Sequence, residues 1–155
     1  MKQQALAYFL WAKNIQVLRE HVQRYPDCVI LTYSPYTGAA TDEMQQLLGS
    51  RLVDISILLT QADIPALQAA QEHYVQQVAA LGESVAWREL CHSLGMDAAA
   101  LTPAVQESAL GHAALGIQLV AALTKAARLF DLRLILLNED VTATGRLLAA
   151  WARAH

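Results

Sequence analysis

Leu132-Arg-Leu-Ile-Leu-Leu-Asn138 is the stretch on which the fold class turns. As a run of aliphatic residues it suits a buried strand or a turn of buried helix, and its length and flanks do not arbitrate. If it is a strand, its natural partner is Cys28-Val-Ile-Leu-Thr-Tyr33, whose β-branched and aromatic residues favour a short strand. The rest of the chain reads as helix, so the expected fold is mostly α: a compact bundle of about five to six helices with a small sheet over 28–33 and 132–138. A third candidate strand, 53–59, gives the alternative of an α/β fold with three short parallel strands.

Upstream of these runs, residues 3–24 carry Leu6, Phe9, Leu10, Ile15, Val17, Leu18 and Val22 at three- and four-residue steps. This predicts a first helix that ends before Pro26, because the residue preceding a proline is pushed out of the α region. The segment 41–59 is contested. Thr41 offers an N-cap oxygen, Asp42 and Glu43 suit the positive end of a helix, and Met44, Leu47, Leu48, Leu52, Ile55, Leu58 and Leu59 make one stripe. The rival reading turns at Gly49-Ser50 and lets Val53, Ile55, Ile57 and Leu59 alternate as a strand. The helix is preferred, since an internal glycine costs only about 1 kcal/mol.

Further helices are expected from Asp63-Ile-Pro65 to Gly82, from Ser84 to Gly95, from Thr102-Pro103 to about Phe130, and from Val141 to Ala154 with Asp140 as N-cap. Between Ala109 and Leu123 the long one is apolar nearly all round, as befits a helix surrounded by others. Gly111, Gly116 and the neighbouring alanines make it thin, which permits close approach and also suits self-association.

The 155 residues, 55% of them hydrophobic, match a single domain over 1–155 that needs neither disulfide nor metal to fold. Mean hydropathy is high at +0.27, yet Ala109–Leu123 falls short of the roughly 20 residues a membrane span requires, so none is expected. A net charge of −3 with eleven scattered Lys and Arg provides no footprint for nucleic acid. Two cysteines without motif spacing, Cys28 and Cys91, point to a reducing, cytoplasmic setting.

Candidate chemistry is sparse, and no cofactor is expected. Thr32-Tyr-Ser-Pro-Tyr-Thr-Gly-Ala-Ala-Thr-Asp-Glu43 lies where α/β proteins keep phosphates, but it has one glycine and ends in two carboxylates that would repel an anion. Glu89-x-x-His92 is half of a carboxylate-bridged metal pattern whose other half is missing; His112 would complete it only by tertiary accident, so no metal is expected. Cys91 and His92, adjacent in sequence, diverge by about 100° on a helix and make a poor thiol and base pair.

Two functions fit. The first is a non-enzymatic protein–protein interaction module, an adaptor, accessory subunit or small regulator that acts on another protein. Its expected anchors are Tyr33, Tyr36 and Trp151, aromatics near a loop or a chain end. The second is a small α/β ligand-binding domain or enzyme with Ser34, Gln61 and Asn138 at the carboxyl ends of its strands. Substantial strand would favour the second, and a helix content above about two-thirds would sink it.

Overall fold

The computed structural model describes residues 2–9, 15–38, 40–111, 113–137 and 143–154. Four parallel strands make one sheet: β1 (Gln3–Phe9), β2 (Val29–Thr32), β3 (Leu52–Asp54) and β4 (Phe130–Leu137), in the order β3-β2-β1-β4. Among the described residues there are eight α-helices: α1 (Ile15–Arg24), α2 (Ser34–Thr37), α3 (Ala40–Leu48), α4 (Ile64–Ala79), α5 (Val85–Ser93), α6 (Ala98–Gly111), α7 (Ala113–Leu129) and α8 (Ala143–Ala154). The chain is thus mostly helical around a small sheet, with more helices than the five to six expected.

The largest departure from expectation is β1. Residues 3–9 form not the first turns of a helix but the strand flanked by β2 on one side and β4 on the other. All five residues from Ala5 to Phe9 are buried, a continuous run that an amphipathic helix cannot supply and that a strand covered on both faces requires. Alternation then sorts them. Ala5, Ala7 and Phe9 join Leu31, Leu119, Leu123, Leu148 and Trp151 in one core cluster, and Leu6 and Tyr8 join Leu18, Ile30, Met44 and Leu48 in the other. So α7 and α8 cover one face and α1 and α3 the other. Burial pushes the Tyr8 phenol up to about 12, against a hydrogen bond with the Leu18 backbone that ties β1 to α1.

Both contested stretches resolve toward strand. Residues 132–137 belong to β4, which breaks register beside Ala5 and Leu6 at a bulge that absorbs Arg133, while Asn138, the end of the expected strand, lies outside the described residues. In 41–59 the helix stops at Leu48: Gly49 takes φ of 53°, a conformation open to glycine, and a 3₁₀ turn over Gly49–Arg51 leads into β3. The strand is three residues long rather than seven, and Asp54 ends it by accepting from the Ser56 N–H and starting another 3₁₀ turn, Ile55–Leu58.

The long helix expected over 102–130 is two helices, α6 and α7. The apolar character of α7 is explained by its buried stripe, Ala113, Gly116, Leu119, Ala122, Leu123 and Ala126. At Gly116 the close approach of α8 matters: a Cβ there would stand 3.0 Å from Leu147 Cδ1. Among the described residues no single helix is long and apolar enough to cross a membrane; only α6 and α7 taken together, bent by 42°, meet that length and composition.

Direction along α7 fixes the position of everything between β3 and β4. Leu129 passes straight into Phe130, so α7 ends at the amino edge of the sheet and begins at its carboxyl edge. Helix α6 precedes it there, and α4, α5 and α6 form a lobe of their own. Trp87 Nε1 donates to Thr102 Oγ1 at 2.8 Å, and Gln106 Nε2 donates to the carbonyls of Val78 and Ala79 at 3.0 and 3.1 Å. At the base of α4, Lys125 Nζ donates to Asp63 Oδ2 at 2.6 Å and to the Leu58 carbonyl at 3.0 Å.

Candidate functional site

The carboxyl edge of the sheet is built from the ends of β2 and β3. After Thr32 the chain turns into α2, where Pro35 suits the first turn of a helix because its missing N–H has no partner to lose. Gly38, with φ of 55°, then redirects the chain into α3. Helix α3 starts at Ala40, so Thr41 is not its N-cap as expected but lies inside its first turn. The Thr41 hydroxyl is 2.9 Å from that of Thr37, which is 3.1 Å from that of Thr32 and donates to the Tyr33 carbonyl at 3.1 Å. The threonine hydroxyls of TYSPYTGAATDE thus satisfy one another and the backbone, and they make the stretch a structural corner.

Asp54 joins the two strand ends. One of its oxygens accepts from the Ser34 N–H at 3.2 Å and the Ser56 N–H at 3.0 Å. Burial pushes its carboxyl up, but hydrogen bonds from the backbone and hydroxyls of Ser34 and Ser56 outweigh this and hold it below the usual carboxylate range. The neighbouring Tyr33 phenol is raised, by burial first and by the Asp54 charge second. Its hydroxyl donates to Gln118 Oε1 at 3.3 Å, linking the sheet edge to the first turns of α7. There a cleft of about 250 Å³ opens between α4 and α7, lined by Ile64, Leu67, Gln68, Gln71, Ala114, Ile117 and Gln118.

The residues singled out from sequence are dispersed. Tyr33 is 1% exposed and Trp151 9% exposed, both inside the core cluster, and half-buried Tyr36 packs against the same cluster. Neither Tyr33 nor Trp151 offers the exposed ring expected of an anchor, because Tyr33 sits beneath α7 and Trp151 points inward from α8 toward the sheet and α7. Ser34 is at the carboxyl edge as expected. Gln61 is not: β3 ends at Asp54, and the chain has turned along α7 to the level of Lys125, toward the amino edge. Asn138 lies outside the described residues. Glu89 and His92 are exposed on α5, His112 is outside the described residues, and among the described residues no three His, Cys, Asp or Glu are close enough to share a metal ion. Cys28 and Cys91 are buried free thiols.

Sequence reading missed Asp54 and Gln118. Asp54 was hidden by the helical stripe assigned to 44–59; the alternation of Val53, Ile55 and Ile57 was the signal that could have placed it at a strand end. Gln118 read only as a polar interruption of an apolar run.

The Lys125 and Asp63 pair gives a pH prediction. The Lys125 ammonium foremost, then the backbone and hydroxyl of Thr60, lower the Asp63 carboxyl to about 2. A carboxyl depressed in the folded state contributes stability that is present above its unfolded value, about 4, and lost as pH falls through about 2. Thermal melts should therefore show Lys125→Met below the parent at pH 6, with the gap closing between pH 4 and pH 2. A gap that stays constant down to pH 2 would show that the pair adds nothing. Asp54 titrates in both proteins and cancels from the comparison.

Comparison of the chain with protein-family models, with curated proteins and with solved structures finds no match.

Proposed function

We propose that the chain, read as a single domain, is a non-enzymatic protein–protein interaction module whose docking face is the lobe of α4, α5 and α6. The observation that carries this reading is how little of the lobe is used internally. Cys91 is the one buried residue described in these three helices, while Val85, Leu90, Leu94 and Met96 each keep half or more of their surface exposed. Apolar side chains grouped on one lobe, away from the sheet that organises the core, gain from being covered by another surface.

The test compares the parent with a Leu90→Asp/Leu94→Asp variant. Both sites are at least half exposed, so the variant should melt within about 1 kcal/mol of the parent. Quantitative mass spectrometry of proteins captured from source lysate, beside sedimentation of the purified chain, should show a defined partner or a self-associated species that the variant loses. Identical capture and identical sedimentation for the two proteins would refute the reading.

A second reading, a small α/β ligand-binding domain, is favoured by the strand order. Helix α1 leaves β1 toward one face of the sheet and α8 leaves β4 toward the other, the topology in which ligands gather outside the carboxyl ends of neighbouring strands. Among the described residues 75% are helical, above the two-thirds expected to sink this reading by helix content alone. Much of that helix is the α4 to α6 lobe, however, and it lies outside the layers that cover the sheet.

A further inference from the structure

We infer that the cleft between α4 and α7 is a binding site for a small, uncharged molecule that presents a hydrogen-bond acceptor. This rests on the ligand-binding reading and gives it a place and a chemistry. The argument starts from Gln118. A carboxamide has a donor end and an acceptor end, and left free it offers either. Here the buried Tyr33 hydroxyl donates to Gln118 Oε1 at 3.3 Å, which engages one lone pair of that oxygen and turns the acceptor end toward Tyr33, so that the NH₂ end of this exposed side chain is the one free for a ligand. Tyr33 is a positioning residue in this scheme, held at 1% exposure beneath α7.

The rest of the lining sets the ligand's character. Ile64, Leu67, Ala114 and Ile117 supply aliphatic surface, Gln68 and Gln71 add neutral polar groups, and among the described residues no titratable side chain lines the cleft. A charged ligand would shed water without meeting a counter-charge, which costs more than an amide returns. The cation on the same stretch of α7, Lys125, is already engaged by Asp63 and the Leu58 carbonyl. The nearest charge along α4 is Glu72, in the adjoining groove that shares Gln68 and Gln71. About 250 Å³ suits a single small ring and is below the size of most drug-sized sites.

The experiment uses the full chain, uniformly labelled with ¹⁵N, titrated with three five-membered-ring probes: N-methylpyrrolidone, which only accepts; pyrrole, which only donates; and pyrrolidone carboxylate, which is charged. N-methylpyrrolidone should cause saturable shifts confined to residues 64–71 and 114–118, with a Kd on the order of 1 to 10 mM for so small a probe. Pyrrole and pyrrolidone carboxylate should bind about tenfold more weakly. Gln118→Leu should remove most of the N-methylpyrrolidone response. Tyr33→Phe, checked for an unchanged fold by its spectrum, should narrow the preference for N-methylpyrrolidone over pyrrole, because the freed amide can turn; a purely structural tyrosine would leave that ratio alone. Equal binding of all three probes, or no localised shift at 20 mM, roughly the upper limit for a site of this kind, would overturn the inference. Shifts centred on Ser34 to Thr37 and Ser56 would also overturn it, while leaving a ligand site at the carboxyl edge of the sheet.

Discussion

Tyr8→Ala and Phe9→Ala should each cost about 3 to 5 kcal/mol in urea unfolding, although the two residues are neighbours. In an amphipathic helix, adjacent residues point about 100° apart, and the stripe through Leu6, Phe9 and Leu10 leaves Tyr8 on the opposite face, where truncation costs little. In β1 they point to opposite faces of a sheet covered on both sides, and they are 1% and 0% exposed. Each truncation empties a different core: Tyr8 the one against α1 and α3, Phe9 the one against α7 and α8. The two losses should therefore be nearly additive in the double variant, since no single cavity forms. A Tyr8→Ala cost under about 1 kcal/mol would be incompatible with β1 as described.

The same residues show why the strand was hard to read. Ala-Leu-Ala-Tyr, residues 5–8, alternates small and large, and the alternation has a purpose: the alanines let α7 approach the sheet, and α7 answers with Ala122 and Ala126. Alanine is also the best helix former, and Leu6, Phe9 and Leu10 sit at helical spacing, so local preference and tertiary role point in opposite directions. The choice for strand is made by partners distant in sequence. Leu6 pairs with Ile30 on one side and with Leu134 on the other, contacts that no window of twenty residues contains. By contrast, α5 was legible to the residue, because its start is a local matter: Ser84 caps it by accepting from the Trp87 N–H at 3.3 Å, and Gly95 closes it with φ of 67°.

The candidate site was legible only where it hangs on a strand end. Ser34 follows directly from β2, so placing the strand placed the residue. Gln61 depended on where β3 stops, and that is decided by Asp54 capping a 3₁₀ turn, a choice between turn and strand that alternating aliphatics conceal. The pairing of Tyr33 with Gln118 spans 85 residues and arises only from how α7 crosses the sheet.

Trp151→Ala should likewise cost about 3 to 5 kcal/mol, by thermal or urea unfolding, and this changes how any loss of partners must be read. The indole is 9% exposed, in the cluster with Ala5, Ala7, Phe9 and Leu123, and so fastens α8 to the sheet. Its Nε1 donates to Thr124 Oγ1 at 2.9 Å, and that hydroxyl donates to the Val120 carbonyl at 2.8 Å. Removing the ring leaves a cavity and takes away the donor to the Thr124 hydroxyl, which keeps its bond to the Val120 carbonyl. Trp151→Phe keeps most of the volume and should lose only about 1 to 2 kcal/mol. A Trp151→Ala protein that fails to capture partners would therefore fail because a larger fraction is unfolded, and Trp151→Phe, mostly folded, would capture them normally. If Trp151→Ala proved as stable as the parent while abolishing capture, the indole would have to be exposed to the partner, and the docking face would move from the α4 to α6 lobe to α8. Stability measured before binding thus separates a residue that makes the surface from one that holds the surface in place.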